Sequence, residues 1–201
     1  WLKVALAQVW LEYLPFGVSP TQSILVMAAE AARKYIEGTH GSLPEIDFDA
    51  IKSLLADGVC LKQEERELNW DGIKGAFFGW SIIVEGKSWI TIHSIADAGD
   101  GLALAHWETN YDVKPEGQTF YGTSVDISGK QMRGFTCFAS FKLDGDGKII
   151  EIVQRSDDVV RKLGIADAVY EDRQKAAAAA KTQEYEYEYE YEAAKSRCWI
   201  C

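Results

Sequence analysis

The stretch from Gly101 to Asn110, Gly-Leu-Ala-Leu-Ala-His-Trp-Glu-Thr-Asn, constrains this chain more than any other. It follows a run of turn formers, Asp97-Ala98-Gly99-Asp100-Gly101, and reads as a strand. Successive side chains on a strand point to opposite faces. Leu102, Leu104, His106, Glu108 and Asn110 therefore share one face, and Ala103, Ala105, Trp107 and Thr109 share the other. The first face passes from apolar to an imidazole, a carboxylate and an amide in a row. Lining a closed cavity, that row is an acid/base site. Facing water, it is an ordinary sheet surface.

The flanking segments supply a sheet for this strand and helices to cover it. Downstream, Gln131 to Leu143 alternates and is rich in Phe, and Lys148 to Arg155 follows across Asp144-Gly145-Asp146-Gly147, a tight hairpin turn. Ser88 to Ile95 is a strand before it, with Trp89, Thr91 and His93 on one face. Thr119 to Ser128 reads as a loop or weak edge strand. Upstream, Ser19-Pro20-Thr21 starts a helix that runs to about Glu37 and stops at Gly38. Asp47 or Asp49 caps a second helix closed by Asp57-Gly58, and Val59 to Lys62 is a short strand. Trp70 to Val84 is a third helix, apolar nearly all round and so expected to be well buried. Asp157 or Asp158 caps a last short helix, Val159 to Leu163. Helices first and hairpin-linked strands after them give an α+β domain, a curved antiparallel sheet covered by N-terminal helices around a cone-shaped pocket.

Three parts are expected: an amphipathic helix over 1–18, the domain over 19–165, and a low-complexity Ala/Glu/Tyr tail over 166–201. Opening at Trp1 rather than Met is what a trimmed N-terminus would give. The formal net charge of −10 argues against nucleic acid or an anionic membrane as the main partner. Four cysteines, Cys60, Cys137, Cys198 and Cys201, are too few and too scattered for a disulfide framework, so a reduced, cytoplasmic setting is expected. No apolar run approaches the ~20 residues of a membrane span. The terminal Cys198-Trp199-Ile200-Cys201 resembles a prenylation signal. Trp in its second place and the sparse basic support of Lys195 and Arg197 argue against a lipid tether at Cys198.

From Thr21 to Gly164 a series of local matches falls in one order. They are Leu54-Leu55-Ala56-Asp57-Gly58-Val59, Trp70-Asp71-Gly72-Ile73-Lys74-Gly75-Ala76-Phe77, Leu102-Ala103-Leu104-Ala105-His106-Trp107, Met132-Arg133-Gly134 through Phe141-Lys142-Leu143 with Asp146-Gly147-Lys148-Ile149, and Asp157 to Gly164. In this the chain resembles the SnoaL-like branch of the nuclear transport factor 2-like superfamily. The resemblance implies the cone-shaped fold, and activities that range over polyketide cyclases, epoxide hydrolases, isomerases, dehydratases and non-catalytic association domains.

In the superfamily's epoxide hydrolases an Arg and an Asp two apart on the central strand work with a second Asp on the last strand. By the strand match these fall on His106, Glu108 and Gln154. Gln exchanges no proton at neutral pH, which speaks against a water-activating hydrolase. Asp157 is near the place of the cyclases' carboxylate and reads as a helix cap. His106 and Glu108, ~6.5–7 Å apart at their α-carbons, are the expected acid/base pair. Lys62, Cys60, Asn110 and Gln154 are their expected polar supports, with Trp89 at the pocket wall and Arg133 at its mouth. His40 reads as an inert loop residue, and Trp107, Phe135 and Phe138 as core. The expected function is a cofactor-free, metal-free isomerase or cyclase that moves protons on a hydrophobic, secondary-metabolite-like substrate. The alternatives are a non-catalytic ligand-binding or oligomerisation domain and a water-activating hydrolase or dehydratase. A homodimer is also expected from the resemblance, formed on the outer face of the sheet with Trp107 and Phe138 as its apolar contacts.

Overall fold

The computed structural model describes residues 20–64 and 66–197, with side chains over 27–64 and 66–181. The expected helix over 1–18 and the Cys198 tether lie outside the described residues. Helix α1 (Pro20–Thr39) is followed by α2 (Phe48–Leu54), strands β1 (Leu55–Gln63) and β2 (Arg66–Leu68), and α3 (Trp70–Ile83). Then come β3 (Val84–Gly99), β4 (Leu102–Val113), β5 (Gln131–Leu143), β6 (Ile149–Ser156), a single turn α4 (Val159–Lys162) and the long α5 (Ala166–Arg197).

Polar side chains start the helices where the pattern places them. Asp47 accepts from the N–H groups of Asp49 and Ala50 at the start of α2. Asn69 accepts from Gly72 at α3, and Asp158 accepts from Val160 at α4. Asp157, the other candidate cap, instead accepts from the Thr136 N–H on β5 at 2.9 Å and pairs with Lys162 at 3.0 Å.

The strands form one open, curved sheet in the order β2-β1-β6-β5-β4-β3. Every pairing is antiparallel except β1 with β6, which is parallel. The expected stop of α2 at Asp57-Gly58 falls inside β1. Leu55 already pairs with Ile149, and Asp57-Gly58 sits in the irregularity before Cys60 meets Glu151.

Helix α1 packs on β3, β4 and β5, so one face of the sheet is covered and the other is not. The main core holds Ala28, Ala31, Ala32, Tyr35 and Ile36 from α1, Ile51 from α2 and Ile73 and Phe77 from α3. Against these lie Ala103, Ala105 and Trp107 of β4, Cys137, Ala139 and Phe141 of β5, and Ile152 of β6. A second cluster at the open end joins Leu43, Val84, Tyr111, Ile127 and Met132 to Leu163, Ile165 and Val169, so the first turn of α5 packs on the domain. Helix α3 is not buried all round. Ile73 and Phe77 face the sheet, whereas Phe78 and Ile82 are half exposed, because the helix meets the sheet along a single stripe. No helix among the described residues is long and apolar enough to cross a membrane.

Candidate functional site

On β4 the covered face is the one that carries Ala103, Ala105, Trp107 and Thr109. His106 and Glu108 therefore stand on the convex, uncovered side. The His106 ring stacks on Phe138 at 4.2 Å and lies 4.6 Å from the His93 ring, and Glu108 Oε2 is 3.8 Å from His93 Nε2. Asn110 Nδ2 donates to Glu108 Oε1 at 3.1 Å, and Asn110 Oδ1 accepts from the Gly134 N–H at 2.8 Å. Gly134 sits at φ +61°, where the β4–β5 register shifts, so Asn110 holds an irregularity in the sheet. Asn110→Ala would leave that N–H without its acceptor. It is expected to lower unfolding stability by roughly 1–3 kcal/mol in urea titration, with no effect on the shape of the transition.

Most of the other expected site residues share the convex side. Lys62 Nζ pairs with Glu151 Oε2 at 2.6 Å, which raises the ammonium's pKa and lowers the carboxyl's. Cys60 lies beside Lys62 on that side, between the buried Val59 and Leu61. The Arg133 guanidinium covers the Trp89 ring at 4.7 Å, donates to Tyr111 O at 2.8 Å and pairs with Asp112. Gln154 alone turns inward, where its Nε2 is 3.8 Å from Cys137 Sγ. The structure thus brings His106, Glu108 and Asn110 together, but on an open sheet surface. Trp107 is fully buried, so it is not available to the outer face as an apolar contact, whereas Phe138 is.

The enclosed side has polar groups of its own. The chain leaves α1 at Thr39, and a backbone bond from Gly41 N to Ile36 O turns it sharply so that His40 points into the cone. Ser88 Oγ donates to the His40 carbonyl at 2.7 Å, which ties this turn to β3. The imidazole lies edge-on to Phe77 at 5.1 Å and to Trp107 at 5.2 Å, and its Nδ1 is 3.5 Å from Thr109 Oγ1. Among the described residues His40 Nε2 and Trp107 Nε1 have no hydrogen-bond partner, and neither does Tyr35 OH further along α1, beside Phe141. An unmet buried polar group costs about 1–3 kcal/mol.

Among the described residues this interior also holds no fixed charge. The buried polar residues are Thr39, His40, Ser88, Thr109, Asn110 and Gln154, with no Asp, Glu, Lys or Arg among the described residues of that class. Burial pushes the His40 pKa down to about 4, pushes the Cys137 thiol up to about 12 and raises the Tyr35 phenol. At neutral pH the cone therefore presents a neutral imidazole and an indole N–H in an apolar setting. Open grooves of about 620 and 350 Å³ lie elsewhere, around Pro44, Val84 and Pro115 and around Val59 and Leu68, and neither is lined by His40 or Trp107. The sequence reading of His40 as an inert loop residue fails because a lone histidine between Thr39 and Gly41 carries no periodicity to place it. The one local signal was its position directly after a helix stop.

The sequence matches no family model and no curated protein. Solved structures do resemble the chain. An M. tuberculosis LEH-like epoxide hydrolase superposes with a TM-score of 0.51 at 17% identity, over 69% of this chain and 90% of its own. AclR from Streptomyces galilaeus, provisionally named a hydroxylase, gives 0.55 at 15% identity over 80% and 98%. A protein from Jannaschia sp. CCS1, provisionally named a SnoaL-like polyketide cyclase, gives 0.50 at 19% over 71% and 92%. The chain shares the SnoaL-like fold of these structures.

Proposed function

We propose that the chain is a cofactor-free isomerase or cyclase that transfers a proton on a hydrophobic, polycyclic, secondary-metabolite-like molecule inside the cone, with His40 as the exchanging group. The observation that carries this reading is His40 Nε2, which is enclosed between Phe77 and Trp107 and has no hydrogen-bond partner among the described residues. When Nδ1–H donates to Thr109 Oγ1, the Nε2 lone pair faces the apolar interior and can take a proton from a bound carbon acid. A base of low pKa needs an acidified C–H, which a neighbouring carbonyl provides. Gln154 adds an uncharged polar wall. With no buried carboxylate among the described residues, a water-activating hydrolase or dehydratase would lack the carboxylate base its chemistry uses. The test sets His40→Ala against His106→Ala and Glu108→Gln on a panel of polycyclic ketones. Loss of kcat by a factor of ~10²–10⁴ in His40→Ala alone is the expected result. The reverse pattern would return the acid/base role to His106 and Glu108.

A second reading is a non-catalytic assembly module working as a homodimer. It is favoured by the close filling of the cone by Trp107, Phe141 and Tyr35, and by Leu104, Phe138 and Trp89 standing about half exposed on the convex face. Sedimentation of wild-type and Phe138→Glu protein tests it. A dimer that the substitution dissociates, with no turnover of any panel member, is the outcome this reading requires.

A further inference from the structure

We propose that the segment before α1, Trp1 to Leu14, folds back over the convex face of its own sheet and seats its apolar stripe on Leu104 and the uncharged row around it. This stands apart from what the cone does. The seat is read from the strand register. Leu104 lies opposite Ala96 on β3 and Ser140 on β5, and Ser140 lies opposite Val153 on β6. Directly opposed residues share a face, so these four form one row across four strands, ~14 Å long at ~4.8 Å per strand. The row carries no charge. Leu104 is 49% exposed, and the smaller Ala96 and Ser140 flank it on either side. The segment has the complementary face. Leu2, Leu6, Val9, Trp10 and Tyr13 recur at helical spacing, with Lys3, Gln8 and Glu12 between them. A helix of about a dozen residues is marginal in water alone, so such a stripe needs a surface to cover it. From Leu2 to Tyr13 a helix is ~18 Å long, which matches the row.

The point where the segment joins the domain selects this seat over the others. Helix α1 begins at the turn end of the sheet: the Met27 methyl lies over Gly147 between β5 and β6, and Ala29 N donates to Asp97 near the end of β3 at 3.0 Å. Pro20 is ~10 Å further out along the helix. Leu104, two residues into β4, lies at this same end on the opposite side of the sheet. The six residues from Leu14 to Ser19 reach ~20 Å, the separation of two layers that each lie ~10 Å from the sheet. The outer side of α1 offers no apolar seat, because the ion pairs Arg33–Glu37 and Lys34–Glu30 stand on it. The exposed pair on α3, Phe78 and Ile82, lies at the other end of β4, where Lys114 N donates to Ile83 O. That is about 33 Å along the strand from Leu104, beyond the linker.

The test is amide hydrogen exchange of the full chain, read by mass spectrometry on peptides from its first 19 residues, with sedimentation alongside. The expected result is exchange over residues 2–13 slower than that of an unstructured chain by about tenfold or more, independent of protein concentration. Leu104→Glu should return those amides to the unstructured rate while α1 and β4 keep theirs. Leu6→Glu, which lies outside the domain, should do the same. Phe138→Glu, one row or ~7 Å further along the strands, should leave the protection in place. Exchange at the unstructured rate in the wild type, or protection that survives Leu104→Glu, overturns the seat. Protection that grows with protein concentration, together with a dimer that Leu104→Glu dissociates, gives the row to a second copy and overturns the fold-back. Should Leu104→Glu fail to fold, Leu104→Ser reads the same release.

Discussion

Lowering the pH from 7 to 4 is expected to remove about 3 kcal/mol more unfolding stability from the wild-type chain than from His40→Gln. Burial sets the folded pKa of His40 at about 4, against an ordinary value near 6.5, because a charged imidazole beside Phe77 and Trp107 would lose its hydration. The unfolded chain therefore takes up the proton first as pH falls. The stabilising difference is complete above the unfolded value, declines between pH 6.5 and 4, and is gone below the folded value. Two and a half pKa units correspond to roughly 3 kcal/mol, an upper figure because the turn at His40 can open locally. The carboxyls of Glu151 and Asp157 are held low by Lys62 and by the Thr136 N–H. Their contribution is present above the ordinary carboxylate range and fades only below it, at the acid end of this window, and it is common to both proteins. Urea midpoints of the two proteins at half-unit pH steps measure the difference. Parallel curves from pH 7 to 4 would mean that the imidazole is solvated, and would remove His40 from the interior and from the proposed mechanism.

The sequence patterns that proved legible are those with local causes. Asp144-Gly145-Asp146-Gly147 turns β5 into β6 because Asp144 Oδ1 accepts from both Asp146 and Lys148. Asp47, Asn69 and Asp158 cap the helices they precede for the same kind of reason. What was not legible depends on distant partners. The period of a strand separates Ala103, Ala105 and Trp107 from Leu104, His106 and Glu108, but it does not say which set is covered. That choice is made by α1, whose Ala28, Ala31 and Ala32 bring it close to the small residues of β4 and leave the larger Leu104 on the uncovered side. That packing places the expected site residues, Gln154 excepted, on the convex surface. The apolar run of α3 misled in a similar way. Phe78 and Ile82 suggest burial all round, yet a single sheet face can cover only one stripe. His40 reads as an inert loop residue because its inward placement comes from a turn fixed by Ser88, a residue far along the chain.

Trp107→Ala is expected to destabilise the fold by about 3–5 kcal/mol, a large share of the 5–15 kcal/mol that holds a domain together. The indole is fully buried among Ile92, Cys137 and the His40 ring, and α1 and the sheet close over it, so the space it leaves cannot collapse without shifting backbone. Phe138→Ala removes an aromatic ring of nearly the same apolar content from the neighbouring strand, but Phe138 is 53% exposed and touches chiefly His106. It should cost about 1 kcal/mol, the worth of a stacked pair at a wet surface. Chemical denaturation of the two variants measures both numbers, and their order carries more weight than either value. The sheet has only two faces, so a Phe138→Ala cost equal to or above that of Trp107→Ala would place Phe138, and with it His106 and Glu108, on the covered side. The expected order instead fixes His106 and Glu108 on the convex surface and His40 inside. Trp107→Phe separates packing from polarity. It leaves a smaller void and also deletes an N–H that has no partner among the described residues, so its cost should fall well below that of Trp107→Ala and below what the lost volume alone predicts.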